Sequence, residues 1–215
     1  MPNGSAIRTL VFVGLIAVGA ALLVTGSYEL SHERIAANER ERLLRSLSSV
    51  LDPDLRSRDL APTHLTVTDR ELLGTDEPVD VFVITTAAGL PEAVILVPTA
   101  PDGYNAPIRL LVGLSPEGVL TGVRVVSHRE TPGLGDAIDL RKSRWILQFE
   151  GKRLDDPPAE LWAVEKEGGV FDGLTGATVT SRAVIRAVHN ALVYFERHRE
   201  ELFASAARLA ADAEE

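Results

Sequence analysis

The stretch from Asp172 to Ser181 combines glycines with several hydroxyl side chains. It reads Asp-Gly-Leu-Thr-Gly-Ala-Thr-Val-Thr-Ser and runs into a segment with helical periodicity. A helix that begins here presents unpaired backbone N–H groups and the positive end of its dipole, and both favour a phosphate. The stretch has neither the lysine of a Walker P-loop nor the spacing of a G-x-G-x-x-G loop. From the residues alone, an anion site and an ordinary turn with a Ser or Thr cap both stay open.

Three short motifs in this chain resemble a known family. Asp172-x-x-Thr175-Gly176-Ala177-Thr178 is similar to the D-x-x-[ST]-G-A-T signal at which an FMN transferase, with FAD as donor, links FMN phosphate to the last threonine. Gly103-Tyr104-Asn105, and Thr131-Pro132-Gly133-Leu134-Gly135 preceded by His128 and Glu130, resemble the G subunit of the Rnf electron-transport complex. Its relative is the C subunit of the sodium-pumping NADH:quinone oxidoreductase. The resemblance covers nearly the whole chain.

The resemblance implies one covalent FMN per chain, esterified through its phosphate to Thr178. Gly176 and Ala177 would leave steric room for the modifying enzyme and for the flavin. Asp172 has two open readings, recognition by the transferase or an Asx-turn that fixes the loop. Thr175 is assigned to the turn and to hydrogen bonding. The remaining two hydroxyl residues, Thr180 and Ser181, are candidates for phosphate contact or for helix capping.

The loop from Glu130 to Gly135 is a stiff turn with one proline and two glycines, and its backbone can approach a flat ring closely. By resemblance, Thr131 and Leu134 contact the isoalloxazine, with Leu134 as an apolar cover on one flavin face. Without the resemblance, Leu134 is read as a buried loop anchor. Glu130 and His128 either tune the charge of the flavin or pair with each other at the surface, and the sequence leaves this choice open.

Composition excludes several classes of function. The chain has no cysteine, which removes disulfides, iron–sulfur clusters, thiolate zinc sites and c-type haem. Its net charge of -9 argues against nucleic acid as a partner. The five histidines show no metal-ligand spacing, and no nucleophile–base constellation appears. We therefore expect no metal and no catalytic residue, and any redox chemistry needs an organic cofactor.

An apolar segment lies near the N-terminus. Every residue from Leu10 to Val24 is apolar or glycine, and the segment extends from Ile7 to Ser27 with mild interruption. About 21 helical residues span roughly 31 Å, the thickness of the hydrocarbon core of a bilayer. We predict a retained transmembrane anchor over residues 1–28, with a cleaved signal peptide as the alternative. Arginines after the span outnumber those before it, which runs against export of the domain.

The rest of the chain predicts an α+β fold, a twisted antiparallel sheet with packed helices. Residues 29–62 are predicted as a helical stalk and linker, with the first helix of the domain as an alternative, residues 63–200 as the FMN-binding domain and 201–215 as a helical tail. Short β-branched runs separated by turn residues predict four strands, at 79–85, 93–98, 108–114 and 120–127. Ser181 is a plausible cap for a helix whose apolar positions are Val184, Val188, Ala191, Leu192 and Phe195.

Taken with the resemblance, these features predict an electron-transfer subunit of an Rnf-type membrane complex, which couples ferredoxin and NAD redox to ion transport. Its expected partners are the other subunits of that complex and, transiently, the FMN transferase. The expected location is the bacterial inner membrane, with a single span and the FMN domain on the periplasmic side. Two alternatives are the C subunit of the quinone reductase and a non-redox exported binding or scaffold protein.

Overall fold

The computed structural model describes residue 14 and residues 43–56, 62–86 and 89–212. The predicted anchor over residues 1–28 lies outside this part of the chain, except for Gly14. Within the described ranges, no helix combines the length and the apolar character needed to cross a membrane. From Ser46 onward the chain forms one compact unit. This unit therefore starts before residue 63, where the sequence placed the beginning of the domain.

The described residues contain six strands, three α-helices, a further helical segment and four short 3₁₀ helices. The α-helices are α1 (Pro53–Arg56), α2 (Arg70–Leu73) and α3 (Thr178–Asp212), and residues 43–48 are also helical. The strands are β1 (Thr63–Asp69), β2 (Thr75–Thr85), β3 (Pro91–Leu96), β4 (Thr99–Ala100), β5 (Ile108–Leu114) and β6 (Leu120–Ser127). The 3₁₀ helices are Gly135–Ile138, Trp145–Phe149, Ala159–Leu161 and Glu165–Glu167. The α+β class is confirmed.

The six strands form one open sheet in which every pairing is antiparallel. Strands β1, β2, β3 and β5 lie in that order, β4 pairs with the start of β5, and β6 pairs with β5 along its length. The predicted runs at 108–114 and 120–127 coincide with β5 and β6. Strand β2 starts four residues before the predicted 79–85 run, and β3 ends two residues before the end of the predicted 93–98 run.

Both faces of the central strand β5 are covered. Residues 110–114 are buried without interruption, and successive side chains of a strand point to opposite faces. The chain around Val50 covers one face, where a Cβ on Gly113 would lie 2.3 Å from the Val50 carbonyl oxygen. The Thr121 hydroxyl donates to the same oxygen at 2.6 Å. The end of the predicted stalk is thus part of the core, with Leu47, Val50 and Leu51 fully buried.

Helix α3 is continuous from Thr178 to Asp212, so the described part of the predicted tail is its last three turns. All five predicted apolar positions of its first half are buried. The predicted cap at Ser181 is wrong, because the helix begins three residues earlier. Ser181 lies inside the first turn, where its hydroxyl accepts from the Leu174 amide at 3.0 Å and donates to the Ala177 carbonyl at 3.2 Å. It joins the preceding loop to the helix.

Candidate functional site

The β5–β6 hairpin brings two of the sequence motifs together. Because the strands are antiparallel, the loop before β5 lies beside the loop after β6, with Arg109 opposite Ser127. Asn105 makes the connection: its side-chain amide donates to the Arg129 carbonyl at 3.0 Å and to the Thr131 hydroxyl at 3.2 Å. The Gly103-Tyr104-Asn105 motif and the loop from Glu130 to Gly135 therefore form one surface.

Glu130 connects this surface to helix α3. Glu130 is only 4% exposed, and one of its carboxylate oxygens accepts from the main-chain N–H of Asn105 at 3.2 Å. The other oxygen accepts from the hydroxyl of Thr180, a residue 1% exposed in the first turn of α3. His128 does not bond to this carboxylate; its Nδ1 accepts from the main-chain N–H of Glu130 at 3.2 Å. The structure thus shows Glu130 as a buried bridge and not as the surface partner of His128.

The loop from Thr131 to Asp136 is held by its own backbone. The Thr131 carbonyl accepts from the amides of Leu134 at 3.2 Å and Asp136 at 3.3 Å. The buried Asp136 carboxylate accepts from the Gly133 amide at 2.7 Å. At Gly135 a Cβ would lie 2.8 Å from Glu130 Oε2 and 3.1 Å from Thr180 Oγ1, so only glycine fits without displacement. The loop's own hydrogen bonds and the tight packing at Gly135 define its shape.

The end of the Asp172–Ser181 motif meets the same loop. Gly176 has φ +78°, the left-handed region that glycine adopts at low cost, and this bend turns the chain into α3. A Cβ on Gly176 would lie 3.1 Å from Leu134 Cδ2, so the leucine side chain lies over the glycine. The first amide of the helix with a helical acceptor is that of Ser181, which donates to the Ala177 carbonyl at 3.0 Å. The N–H groups before it belong to the unpaired first turn.

The two loops and the first turn of α3 border an open cavity of about 500 Å³, a volume within the range of small-molecule sites. We call it the motif cavity. It is lined by Tyr104, Glu130, Thr131, Leu134, Gly135, Gly176, Ala177, Thr178, Val179 and Thr180. Three of its apolar side chains are strongly exposed: Tyr104 at 67%, Leu134 at 46% and Val179 at 43%. Apolar surface concentrated around a concave site is typical of a site that binds a flat organic ligand.

Seven of the ten predicted site residues line the motif cavity. Three do not: Asp172, Thr175 and Ser181. Asp172 and Thr175 are exposed, and within the described part of the chain neither side chain makes a hydrogen bond. An Asx-turn through the Asp172 carboxylate is therefore not observed. The main chain of Asp172 is fixed instead, by Gln148 Oε1 at 2.7 Å and by Trp145 Nε1 at 2.6 Å.

Three lining residues were not assigned to the site from the sequence: Tyr104, Gly135 and Val179. The position of Tyr104 could have been inferred from the predicted hairpin. Two antiparallel strands place the residues before the first strand beside the residues after the second, so Tyr104 lies near the loop from Glu130 to Gly135. Gly135 and Val179 lie inside the two motifs, and which motif residues face the cavity depends on the fold. Among the described residues no group of three or more His, Asp or Glu side chains is placed to hold a metal ion.

Comparison with known proteins identifies a family model and several relatives. A family model described as an FMN-binding domain matches residues 103–193. The G subunit of the ion-translocating oxidoreductase complex of Pseudomonas aeruginosa (strain UCBPP-PA14) is 46% identical over 200 residues, 93% of this chain and 93% of that protein. The protein of the same name from Shewanella baltica (strain OS223) is 41% identical and covers 89% of this chain and 90% of that protein.

A solved structure has a similar fold. The crystal structure of Shewanella oneidensis NqrC aligns with a TM-score of 0.52, covering 71% of this chain and 91% of that chain. Its sequence identity is 21%, so the likeness concerns the fold alone.

Proposed function

The chain belongs to the family of G subunits of ion-translocating oxidoreductase complexes, and on this premise we propose that it carries electrons within such a complex through one FMN held at the motif cavity. The phosphate of the FMN is esterified to Thr178. The relatives and the family model, and not the proposed attachment, confirm the family resemblance noted in the sequence. The complex couples electron transfer between ferredoxin and NAD to ion transport.

One observation carries the proposal: three motifs separated by up to about 70 residues meet at a single cavity, with Thr178 in its lining. The residues fit FMN. Leu134, Tyr104 and Val179 offer exposed apolar surface for the ring system. Gly135 has no room for a Cβ, and Gly176 has a positive φ with Leu134 Cδ2 only 3.1 Å from where a Cβ would lie, so the backbone itself forms part of the wall. The first turn of α3 offers unpaired N–H groups to a phosphate at Thr178.

The attachment needs a flavin donor and an enzyme. In the proposed reaction the Thr178 hydroxyl oxygen bonds to the FMN phosphorus of FAD as the P–O–P bond of FAD breaks. AMP leaves, and the hydroxyl proton passes to solvent. Thr178 is partly exposed and adjoins the exposed Val179, so a transferase can reach it. The Asp172 side chain is exposed and makes no hydrogen bond in the described part of the chain, which supports recognition by the transferase over a role in fixing the turn.

Once bound, FMN supplies the one- or two-electron chemistry. The chain's own residues position the ring and limit its exposure to water. Thr131 is fixed by Asn105, and Leu134 lies over Gly176, so both predicted ring contacts are held in place. No acid–base or nucleophilic constellation is required of the polypeptide, which acts as a carrier.

The family also supports a membrane location. We propose that residues 1–28 anchor the chain in the inner membrane by a single span, with the compact unit on the periplasmic side. The other subunits of the complex are its lasting partners, and the FMN transferase is a transient one. The rival assignment to the C subunit of a quinone reductase rests on the fold of NqrC, whereas relatives that bear the name of the G subunit match at up to 46% identity.

The test is flavin attachment in two threonine variants. The chain is produced together with the FMN transferase, denatured, and examined by gel for flavin fluorescence. Thr178→Ala should lose all covalent flavin and keep its melting temperature. Thr175→Ser is the matched control, because the D-x-x-[ST]-G-A-T signal accepts either hydroxyl residue at this position, and it should stay fluorescent. Fluorescence retained by Thr178→Ala would refute the attachment site. A colourless wild-type chain would favour the non-redox scaffold alternative.

A further inference from the structure

Glu130 stands apart from the other buried acids of the molecule. Three carboxylates are buried in the described part of the chain: Glu130, Asp136 and Asp139. Two of them have a cation beside them. Asp136 lies 3.6 Å from Lys142 Nζ, and Asp139 lies 2.5 Å from Arg141 Nη2.

Glu130 has only neutral partners. Its carboxylate accepts from the main-chain N–H of Asn105 and from the Thr180 hydroxyl. None of the ion pairs among the described residues includes it. It is also the one charged side chain in the lining of the motif cavity as the structure describes it. Burying a carboxylate without a countercharge is unfavourable, and such groups concentrate at functional sites.

We propose that Glu130 tunes the flavin electrostatically: its negative charge at the cavity lowers the midpoint potential of the bound FMN. This inference rests on the proposed function, since it needs FMN in the motif cavity. Each electron delivered to the ring by an external reductant adds one negative charge, unless a proton from solvent follows. A fixed carboxylate in the cavity wall opposes that added charge, and low local polarity strengthens the effect. Glu130 thus makes the carrier a stronger reductant.

A purely structural role gives a different expectation. Glu130 joins the loop before β5, the loop after β6 and the first turn of α3, so it could act only as a bridge. Glu130→Gln separates the two roles. The amide oxygen can accept from Asn105, and the Thr180 hydroxyl can accept from the amide NH₂, so both hydrogen bonds survive while the charge is lost.

The experiment measures the midpoint potential of the flavin-loaded chain against a reference dye, with dithionite as the electron source, at about pH 8, far above the usual range for a carboxyl group. Glu130→Gln should shift the equilibrium toward the reduced flavin by about tenfold or more, which is ~59 mV for one electron. Glu196→Gln is the matched control. Its exposed carboxylate lies on α3 about 18 residues beyond Thr178, roughly 27 Å along the helix, and its loss should shift the equilibrium by less than about threefold.

Glu130→Asp tests charge against packing, because it keeps the charge and shortens the side chain. Its potential should stay closer to the wild type than that of Glu130→Gln. An equal shift in both variants would assign the effect to packing and overturn the proposal. A folded Glu130→Gln chain without flavin would overturn it as well, because Glu130 would then belong to the attachment step.

If Glu130→Gln does not fold, Thr180→Val takes its place. It removes a neutral donor and leaves the carboxylate less neutralised, so the potential should fall; a rise would overturn the proposal. The outcomes also separate the two levels of inference. A wild-type chain that takes no flavin contradicts the proposed function. A wild-type chain that takes flavin, with an unchanged potential in Glu130→Gln, contradicts only the role of Glu130.

Discussion

Two of the cavities that border helix α3 can be compared, the motif cavity at its first turn and a second one, of about 320 Å³, near Phe195. We call the second one the helix cavity; its lining includes Gly118, Leu154, Leu192, Phe195, Glu196 and Arg199. About 17 residues, roughly 25 Å of helix, separate Thr178 from Phe195. The two cavities differ in whether their charged side chains form ion pairs and in whether their apolar side chains are exposed.

In the helix cavity both cations of the lining pair with a carboxylate, and the large apolar groups belong to the core. Arg199 pairs with Glu196 at 3.1 Å, and the ring of Phe195 is fully buried against Phe203. In the motif cavity one carboxylate has no cation, and apolar side chains stay exposed. This difference is consistent with a structural role for the helix cavity and with the binding role proposed for the motif cavity. Substitutions at the two sites should therefore affect different observables.

The largest expected effect is on stability, at the helix cavity. Phe195→Ala removes a fully buried ring and should lower the free energy of unfolding by about 3–5 kcal/mol. Chemical denaturation monitored by circular dichroism measures this loss. Below its melting temperature the variant should still accept flavin to the wild-type level. A folded Phe195→Ala chain that takes no flavin would show that the two regions are not independent.

A smaller loss of stability is expected at the motif cavity, together with a change in the flavin itself. Gly135→Ala places a Cβ 2.8 Å from Glu130 Oε2 and 3.0 Å from its Cβ, so the loop must move. Overpacking of this kind costs about 1–3 kcal/mol. The visible absorption maxima of the bound flavin should shift.

Gly173→Ala is the control for Gly135→Ala, because its added Cβ would lie 3.8 Å from the nearest atom, in Val164. It should change stability by less than about 0.5 kcal/mol and leave the spectrum unchanged. Similar effects of the two substitutions would contradict the tight contact between Gly135 and Glu130.

The smallest effect is a dependence of stability on alkaline pH, at Tyr194 of helix α3. Burial raises the pKa of Tyr194 to about 12 from 10.0, and the carboxylates of Asp69 and Glu201 add to the shift. The folded state holds this proton more tightly than the unfolded state. Its contribution is therefore fully present below pH 10.0 and is lost as the pH rises through about 12.

Tyr194→Phe should remove this dependence. Between the two pKa values the wild type should lose about 1–2 kcal/mol more than the variant, as measured by denaturation at a series of pH values. Parallel pH profiles for the two chains would show that Tyr194 does not titrate differently in the folded state.

The sequence was most informative where apolar runs lie between clear turn residues. The boundaries of β5 and β6 were predicted to the residue, since Ser115 to Gly118 marks the turn between two β-branched runs. Strand β1 was not singled out, because its sequence Thr-His-Leu-Thr-Val-Thr-Asp is mostly polar and its residues alternate between exposed and half-buried positions. Polar strands of this kind depend on pairing, which the sequence does not show.

The site was predicted in outline but not in its connections. The residues of both motifs that line the cavity were named, apart from Gly135 and Val179, because the motifs themselves are specific. The burial of Glu130 could not be predicted. It depends on Thr180 and Asn105, which are 50 and 25 residues away along the chain. The cap at Ser181 failed for a related reason, since its hydroxyl serves the loop at Leu174 and not the end of the helix.

The sequence also did not predict that residues 46–51 pack in the core. Leu47, Val50 and Leu51 have the spacing of an amphipathic helix, which suits a stalk as well as a packed segment. The deciding feature is the flat surface formed by Gly113 and Gly122, which pair directly across β5 and β6 and admit the backbone of Val50. Only the strand register brings these two glycines together.

The most direct test of the central claim is the intact mass of the wild-type chain produced with the FMN transferase. We predict a single species heavier than the unmodified chain by one FMN less one water, with the added mass on the peptide that contains Thr178. An unmodified mass, or an FMN found on a peptide without Thr178, would contradict the account.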